Sequence, residues 1–429
     1  MPEARHRIGR SARAGWRALF ACAVLPAALL AQGRLAPPPT TGPLVGIDDD
    51  GFRVRSDDGQ HQLRIRAYFH LDGRTYLDST GGFSTIGLRR ARLLVNWNFS
   101  KYIAFQFMPD FEPDQKATIQ DAFMDVLMGP HWWARIGKMT PPGNLERWTL
   151  TSDQPFAERS LLAGLSPDRD MGATLTGEYL GGKVEGTLGV FNGGADGAVN
   201  ELETNDAKDL LWRVVLRPDV SGNPKYPQGS GVGFFGSNGM EHGVSGNSQL
   251  PTLKTVTALT WFQFKESAGA VAEGRRTREG AYAFAHYGPF GTNVEWERNV
   301  AGVKLGATRG DVTSEGARAM VSWVLTGENS VQGGIAPAKT FDPDHGSWGA
   351  WEVVARASQV HVDDAAFPAF ADPTVAAHRA TQWSVGVDWY LSRVMKFQQS
   401  YEDTRFVGGA PKGDRPPEQA LYSRIQLFF

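Results

Sequence analysis

The chain has 429 residues, a formal net charge of −2, 50 glycines and 11% aromatic residues. Apart from its N-terminus it contains no run of about 18 apolar residues, so the sequence predicts no transmembrane helix. The length allows two or three ordinary domains or one large β domain. The weakly acidic balance does not favour a nucleic-acid-binding protein.

Residues 1–31 have the pattern of a secretory signal. Basic residues stand before and inside the start of the apolar segment "WRALFACAVLPAALLA", and we predict cleavage at Ala31. A disordered basic tail is the alternative, and a lipoprotein anchor at Cys22 is disfavoured because the apolar run continues beyond it. The segment carries five Arg and one Glu, so its loss removes +4 from −2 and leaves about −6. The processed chain has no cysteine, which excludes thiol catalysis and cysteine metal sites.

Residues 32–50 are rich in Pro, Gly and Asp and are interpreted as a periplasmic linker. From Gly51 to Phe429 the chain alternates strands of about ten residues with turns. In "LRIRAYF", Leu63, Ile65 and Phe69 share one face, opposite arginines. The same alternation recurs in "RARLLVNWNF" (90–99), "DLLWRVVLR" (209–217), "GAWEVVARAS" (349–358), "TQWSVGVDWY" (381–390) and "LYSRIQLFF" (421–429).

The connections fall into a short class and a long class. The short ones are 99–101, 180–183, 287–291 and 391–393; the long ones are 71–87, 139–169, 192–208, 362–379 and 406–417. Together with strands that are apolar on one face and a terminal Phe, this pattern predicts an all-β fold, a transmembrane antiparallel barrel of about 16 strands. The count is uncertain over 219–276, because "VGFFGSNG" and "TVTALTWFQF" both fit strands. The alternative is a secreted β-sandwich binding protein, whose polar face would carry fewer Arg and Asn.

From Phe52 to Phe429 the sequence resembles the phosphate-selective porin O and P family. The resemblance rests on an ordered set of segments: "SDDGQHQLRIRAYFHLD", "LRRARLLVNWNFSKYIAFQFMPDF", "IQDAFMDV", "ARIGKMTPPGNLE", "FAERSL", "SPDRDMGATLTG", "GVFNG", "GPFG", "VLTGEN", "GAWEVVARAS" and "SVGVDWYLS". It implies a 16-stranded barrel in the cell outer membrane, usually a homotrimer, in contact with membrane lipid. It also implies a third extracellular loop, placed here at 139–169, that folds into the lumen, and cationic side chains that attract anions.

Arginine suits a weak anion path because its guanidinium stays charged and offers fork-shaped donors, and several weak sites in a row conduct better than one tight site. Strand alternation predicts that Arg64, Arg66, Arg90, Arg92, Arg213 and Arg217 point inward. Arg135 and Lys138 lead into the long loop, which holds Arg147, Arg159 and Arg169. We predict that the filter consists of Arg90, Arg92, Arg135, Lys138, Arg159 and Arg169. The alternative is that these cations only brace the loop, paired with neighbouring acids.

Two positions depart from the family pattern and remove positive charge near the loop: Thr140 stands where Lys is frequent, and Asp170 where a second Arg is frequent. Asp110, Glu112 and Asp114 add an acidic second loop. The predicted function is therefore a passive outer-membrane porin for small anions, phosphate or polyphosphate, with a general diffusion porin as the alternative.

No motif indicates an enzyme or a cofactor. "GVGFFG" (231–236) matches GxGxxG, but the residues after it cannot form the helix that a dinucleotide site needs. The histidines show no HExxH spacing, and no GxSxG elbow is present. We expect no catalytic residue, no cofactor and no metal.

Overall fold

The computed structural model describes residues 45–78, 82–112, 117–199, 205–218 and 229–429. The predicted signal segment 1–31, with Cys22, and Asp114 of the predicted acidic loop lie outside these ranges. The strands of the described part are β1 (Val45–Asp48), β2 (Gly51–Arg55), β3 (Gln62–Tyr76), β4 (Thr85–Asn98), β5 (Ile103–Asp110), β6 (Thr118–Leu127), β7 (Trp132–Met139), β8 (Asp170–Tyr179), β9 (Val184–Phe191), β10 (Asp209–Leu216), β11 (Gly231–His242), β12 (Leu253–Lys254), β13 (Thr260–Phe262), β14 (Val271–Tyr287), β15 (Phe290–Leu305), β16 (Thr308–Val324), β17 (Phe341–Asp342), β18 (Ser347–Trp348), β19 (Ala350–Val362), β20 (Ala377–Tyr390), β21 (Met395–Gly408) and β22 (Glu418–Phe428). One short helix, α1 (Leu145–Trp148), lies between β7 and β8.

Sixteen of these strands form one closed antiparallel barrel, which confirms the predicted fold. They are β3–β11, β14–β16 and β19–β22, and the barrel closes where β22 pairs with β3. The uncertain region is resolved by β11, which belongs to the wall and contains "GVGFFG". The segment 255–264 stays outside the wall: it contributes to the small hairpin β12–β13, and Phe264 forms an isolated bridge with Ala371.

The two ends of the barrel differ. At the end holding both the β1–β2 hairpin and the C-terminus, called the turn end, five connections are short and two, 217–230 and 325–349, are long. Val45–Asp48, at the close of the predicted linker, forms β1 and pairs with β2. Phe429 at the C-terminus exchanges two backbone hydrogen bonds with Ala67, so the last residue is not a free edge.

The opposite end, called the loop end, carries most of the predicted long connections. Loops 192–208 and 140–169 have the expected length. The predicted loop 71–87 is shorter, spanning 77–84, because β3 continues to Tyr76 and β4 begins at Thr85; likewise β21 continues to Gly408. A long loop that the sequence did not indicate, 243–270, holds the β12–β13 hairpin.

Side chains alternate across the wall as predicted. Trp97, Trp383 and Ile425 are exposed on the outer face, whereas Arg213 and Gln382 are buried on the inner face. An apolar outer band with a polar interior is what a barrel needs in hydrocarbon, where each backbone group must be paired within the sheet. No helix in the described ranges is both long and apolar enough to cross a membrane.

Part of the lumen is filled near the loop end. Leu161, Leu162 and Leu165 of the loop 140–169 are almost fully buried against aromatic side chains such as Trp261 and Phe262. Alanine and valine side chains of β14–β16, β19 and β20 complete this apolar cluster. Burial of this cluster holds that part of the loop 140–169 against the wall.

Candidate pore constriction

The loop 140–169, called the constriction loop, crosses the lumen. Its first turn meets β15, since the backbone N–H of Leu145 donates to Glu295. Farther on, the Gln154 carbonyl accepts a hydrogen bond of 2.8 Å from Lys396 of β21, and Glu158 reaches β4. The loop therefore touches opposite walls, as the family resemblance implies.

Buried carboxylates hold the beginning and the end of this loop. Glu297 of β15 is fully buried and accepts from Asn144 Nδ2 at 2.9 Å and from Ser166 Oγ at 2.7 Å, so it joins the two ends of the loop. Glu146 accepts from the N–H and hydroxyl of Ser160 at 2.9 and 2.7 Å. Burial alone would raise the pKa of Glu146, but the nearby guanidiniums of β16 and β19 outweigh it and lower that pKa.

Glu158, near the middle of the loop, binds three arginines. Arg90 donates to its two oxygens at 3.1 Å each, Arg89 approaches at 3.2 Å, and Arg424 of β22 at 2.9 Å. Burial would raise the pKa of Glu158, but these three charges hold it well below its usual range. Glu158 is therefore an anion throughout the neutral range and neutralises part of the arginine charge.

Arg89 reaches this site because β4 contains a bulge. His70 of β3 pairs with Arg90 while Leu71 pairs with Leu88, so Arg89 is the extra residue. A bulge changes the direction of side chains locally, and here two consecutive arginines face the lumen. Simple alternation assigns Arg89 to the outer face, which is why the sequence analysis missed it.

A second group of arginines surrounds Asp168, at the end of the loop. Arg169 contacts Asp168 at 2.5 Å and Asp121 of β6 at 2.7 Å, and Arg147 contacts Asp168 at 3.2 Å. Although burial opposes it, the pKa of Asp168 is strongly lowered by these arginines and by Arg159. Asp168 is thus a fixed negative charge in a cationic surrounding.

Arg159 differs from its neighbours. Its guanidinium donates to the carbonyls of Glu146 and Thr149, each at 3.1 Å, and no carboxylate of the described residues lies within 4 Å of it. Burial in the lumen, together with the charge of Arg147, lowers the pKa of Arg159 to about 9. It remains charged at neutral pH and has no counter-ion in the described structure.

The other predicted filter residues occupy two kinds of position. Arg92 lies at the cluster, where it contacts Asp110 at 2.5 Å and the Tyr68 hydroxyl at 2.6 Å. Arg135 is held instead by two bonds to Asp125, at 2.7 and 2.8 Å, and stacks on a phenyl ring. Lys138 is buried on the same strand. The structure thus brings Arg90, Arg92, Arg159 and Arg169 together and places Arg135 apart from them.

The remaining predicted inward arginines brace the wall. Arg213 and Arg217 both bind Glu185, at 2.7 and 3.1 Å. Arg66 donates to Asn96 at 3.0 Å, and Arg64 lies 3.4 Å from Asp50 at the turn end.

The two departures from the family pattern have local roles. Asp170 accepts from the backbone N–H groups of Gly193 and Gly194 at 2.8 and 3.0 Å, so it caps the start of the next loop. Thr140 is fully buried where the constriction loop begins. Of the predicted acidic loop, Glu112 is paired with Arg89 at 3.0 Å.

The cluster carries a small excess of positive charge. It contains seven arginines and six carboxylates, counted within the described ranges. The arginines are Arg89, Arg90, Arg92, Arg147, Arg159, Arg169 and Arg424; the acids are Asp72, Asp110, Glu112, Asp121, Glu158 and Asp168. Six arginines have a carboxylate partner, so the excess is the charge of Arg159.

Comparison with known proteins identifies the same architecture. The sequence model of the phosphate-selective porin O and P family matches residues 60–406. The structure of the outer membrane channel DcaP of Acinetobacter baumannii matches 88% of this chain and 99% of its own, with a TM-score of 0.53 and 8% identity. OmpT of Vibrio cholerae matches 88% of this chain and 100% of its own, with a TM-score of 0.51 and 11% identity. The anion-selective porin from Comamonas acidovorans matches 86% of this chain and 100% of its own, with a TM-score of 0.50 and 12% identity. At such identities the likeness concerns the fold alone, and a search of curated proteins finds no match.

Proposed function

The chain belongs to the phosphate-selective porin O and P family, and on that premise we propose that its lumen favours small anions, with phosphate or polyphosphate as the solute. Membership in the family makes the protein a passive porin of the outer membrane, a channel rather than an enzyme. The proposal concerns what distinguishes one solute from another at the constriction loop.

The observation that carries the proposal is the unpaired charge of Arg159. It lies among Arg90, Arg147 and Arg169, and the charge of Asp168 also acts on it, although Asp168 is not in direct contact with it. A passage with low-dielectric walls concentrates the field of such a charge, and this raises the local concentration of anions. The other arginines contribute less, because a carboxylate partner already occupies each of them.

Arg90, Arg92 and Arg169 would assist by exchange. Each holds a carboxylate by charge-assisted hydrogen bonds, and a phosphate offers the same kind of acceptor to a guanidinium. A passing anion can therefore share donors with Glu158 or Asp168 without displacing them fully. This gives several weak contacts, which suits passage better than a single tight site.

We also propose that the protein assembles as a homotrimer. One similar structure, in-vitro folded OmpT of Vibrio cholerae, is described as a trimer form and has a TM-score of 0.51 and 10% identity to this chain. Chemical cross-linking of the purified protein in detergent would test this proposal, which predicts a ladder that ends at three subunits.

A general diffusion porin is the second candidate, and the pairing of six arginines with six carboxylates favours it. A passage that is nearly neutral discriminates weakly between cations and anions. Asp110 and Glu112 are two of these six acids, and they neutralise Arg92 and Arg89 at the edge of the constriction.

Zero-current potential in a planar bilayer separates the two candidates. We expect an anion-selective potential under a KCl gradient, and a chloride current that phosphate blocks at millimolar concentration. Arg159→Gln should abolish most of the selectivity, whereas Arg159→Lys should retain its sign and weaken the block by phosphate. A potential near zero or cation-selective, with no phosphate block, would refute anion selectivity and leave the general porin.

A further inference from the structure

The outer face of the barrel carries a cationic patch formed by three neighbouring strands. Arg379 of β20 and Arg405 of β21 are exposed. Thr381 pairs with Arg405, so Arg379 is the diagonal neighbour of Arg405 on the same face, at about 7–8 Å between Cβ atoms. His361 of β19 lies directly opposite Arg379. We call His361, Arg379 and Arg405 the outer cationic patch.

This patch lies at the boundary of the apolar belt. Trp383, with 60% of its surface exposed, is two outward positions from Arg379 toward the turn end. On the neighbouring wall, Trp296 Nε1 donates to Glu315 at 2.8 Å, so its ring also lies where apolar and polar surfaces meet. Tryptophans of this kind mark the headgroup level in membrane barrels. Because the longer loops of such barrels face outward, the level is that of the outer leaflet.

Below the patch, small side chains form a shallow apolar channel. Ala319 of β16 pairs with Ala357 of β19, and Ala357 pairs with Trp383 of β20. Ala317 and Ala355 also face outward beside them. The alanines lie between the larger rings of Trp383 and Trp296, which leaves room for an acyl chain along the wall.

The two arginines of the patch differ in their partners. Within the described ranges, no carboxylate lies within 4 Å of the Arg379 guanidinium. Asp403 contacts Arg405 through its Nε at 3.0 Å, while the Arg405 side chain remains 72% exposed, so its terminal nitrogens stay available. Glu315 bounds the patch beyond His361. Arg298 and Arg309, elsewhere on this outer face, lie 3.4 Å from carboxylates and so resemble Arg405 rather than Arg379.

We propose that the outer cationic patch and the alanine channel bind the phosphorylated glycolipid of the outer leaflet. A headgroup phosphate would lie between Arg379 and Arg405, where guanidinium donors suit its oxygens, and one acyl chain would lie along Ala357 and Ala319. Basic residues at headgroup level attract anionic lipids by this chemistry. The site lies on the outside of the barrel, so it is independent of the solute that the lumen passes.

The test titrates the purified full-length barrel, in non-ionic detergent, with bisphosphorylated lipid A and counts bound lipid by native mass spectrometry. We expect Arg379→Gln/Arg405→Gln to weaken binding about 25-fold, on the basis of about fivefold for each basic residue. The matched control Arg298→Gln/Arg309→Gln should bind like the native protein, because those arginines lie outside the patch and each has a carboxylate partner. Dephosphorylated lipid A should bind the native protein as weakly as lipid A binds the double variant.

Two results would overturn the proposal. The first is equal affinity of the native protein and Arg379→Gln/Arg405→Gln for lipid A. The second is equal affinity of the native protein for phosphatidylglycerol and lipid A, which would reduce the patch to an unspecific anion attractor. Heat-modifiable gel mobility verifies that each variant is folded. The charge-preserving Arg379→Lys/Arg405→Lys protein should keep most of the binding, which separates loss of charge from damage to the wall.

Discussion

The constriction loop has two surroundings of opposite charge balance. Among the described residues on the side of β15, β16, β19 and β21, acids outnumber arginines, because Glu146, Glu295, Glu297 and Glu402 lie beside Arg318 and Arg356. On the side of β3, β4, β6 and β22, seven arginines face six acids. The first side also borders the apolar cluster around Leu162, whereas the described apolar cluster on the second side, Tyr68, Leu94 and Met108, is small and contains no residue of the loop.

We infer that the first side, called the anchored side, fixes the loop, and that the second side, called the arginine side, acts on solutes. On the anchored side the carboxylates accept hydrogen bonds from loop backbone and side chains, and so they replace the water that these groups would otherwise bind. On the arginine side the acids hold arginines without cancelling all of their charge. The comparison can be tested by variants that disturb one side and leave the other intact.

The largest effect is expected from loosening the anchored side with Leu162→Asp. Leu162 has no exposed surface, so a carboxylate there would be buried without a partner, which costs several kcal/mol. We expect the loop to leave the wall, single-channel conductance to rise severalfold and selectivity to vanish.

Leu162→Met is the matched control, because a volume-conserving apolar exchange costs less than about 1.5 kcal/mol. It should preserve conductance. Unchanged conductance in folded Leu162→Asp would mean that the apolar cluster does not hold the loop.

The next largest effect concerns the arginine side, where Arg159→Gln removes the excess charge. A unit charge about 8 Å from the passage contributes about 0.5–2 kcal/mol at an effective dielectric constant between those of water and a protein surface. The ratio of anion to cation permeability should therefore fall about fivefold. Reversal potentials in a KCl gradient measure it, and a ratio equal to that of the native protein would assign the selectivity to other residues.

How much of this was predictable depends on how local the signal is. Alternation correctly places Arg90, Arg92 and Arg213 inward, because the period of two is a property of each strand alone. It fails at Arg89, where a single extra residue shifts the register. No local pattern identifies Glu297 as a partner of Asn144, since they are 153 residues apart and meet only when the barrel closes.

The same reasoning applies to the connections. The constriction loop could be recognised from its length and from the family resemblance, but its charge balance could not, because Arg424 lies in the last strand and joins Glu158 only through barrel closure. No local pattern predicts an inward fold of the turn-end segment 325–349. It folds inward so that Ser330 and Ile335 are buried, and Ser330 contacts His286 of β14 at 3.0 Å.

Glu158→Gln should act in the direction opposite to its neighbour Arg159. The change removes one negative charge shared by Arg89, Arg90 and Arg424, so the excess of the cluster rises from one positive charge to two. We expect the anion-to-cation permeability ratio to increase about threefold and phosphate to block at a lower concentration.

Because Glu158 stays ionised well below neutral pH, this effect should be the same at pH 6 and pH 8. A decrease of the permeability ratio in Glu158→Gln would show that Glu158 acts mainly by holding the loop in position. The conductance of Glu158→Gln would then resemble that of Leu162→Asp.

The smallest effect on transport is expected at Asp153, on the part of the loop near β21, where the change concerns stability. Burial raises the pKa of Asp153 to about 6, against the charge of Lys396. The folded state therefore favours the protonated acid, so stability is highest below the ordinary pKa near 4 and declines as pH rises through about 6. Asp153→Asn mimics the protonated form and should stabilise the barrel at pH 7.5 by at most about 3 kcal/mol, with no gain at pH 4. The midpoint of heat conversion between the folded and unfolded gel mobilities measures this difference at both pH values. If the variant melts like the native barrel at pH 7.5, the Asp153 charge is compensated by Lys396, and titration of Asp153 does not change the stability of the barrel.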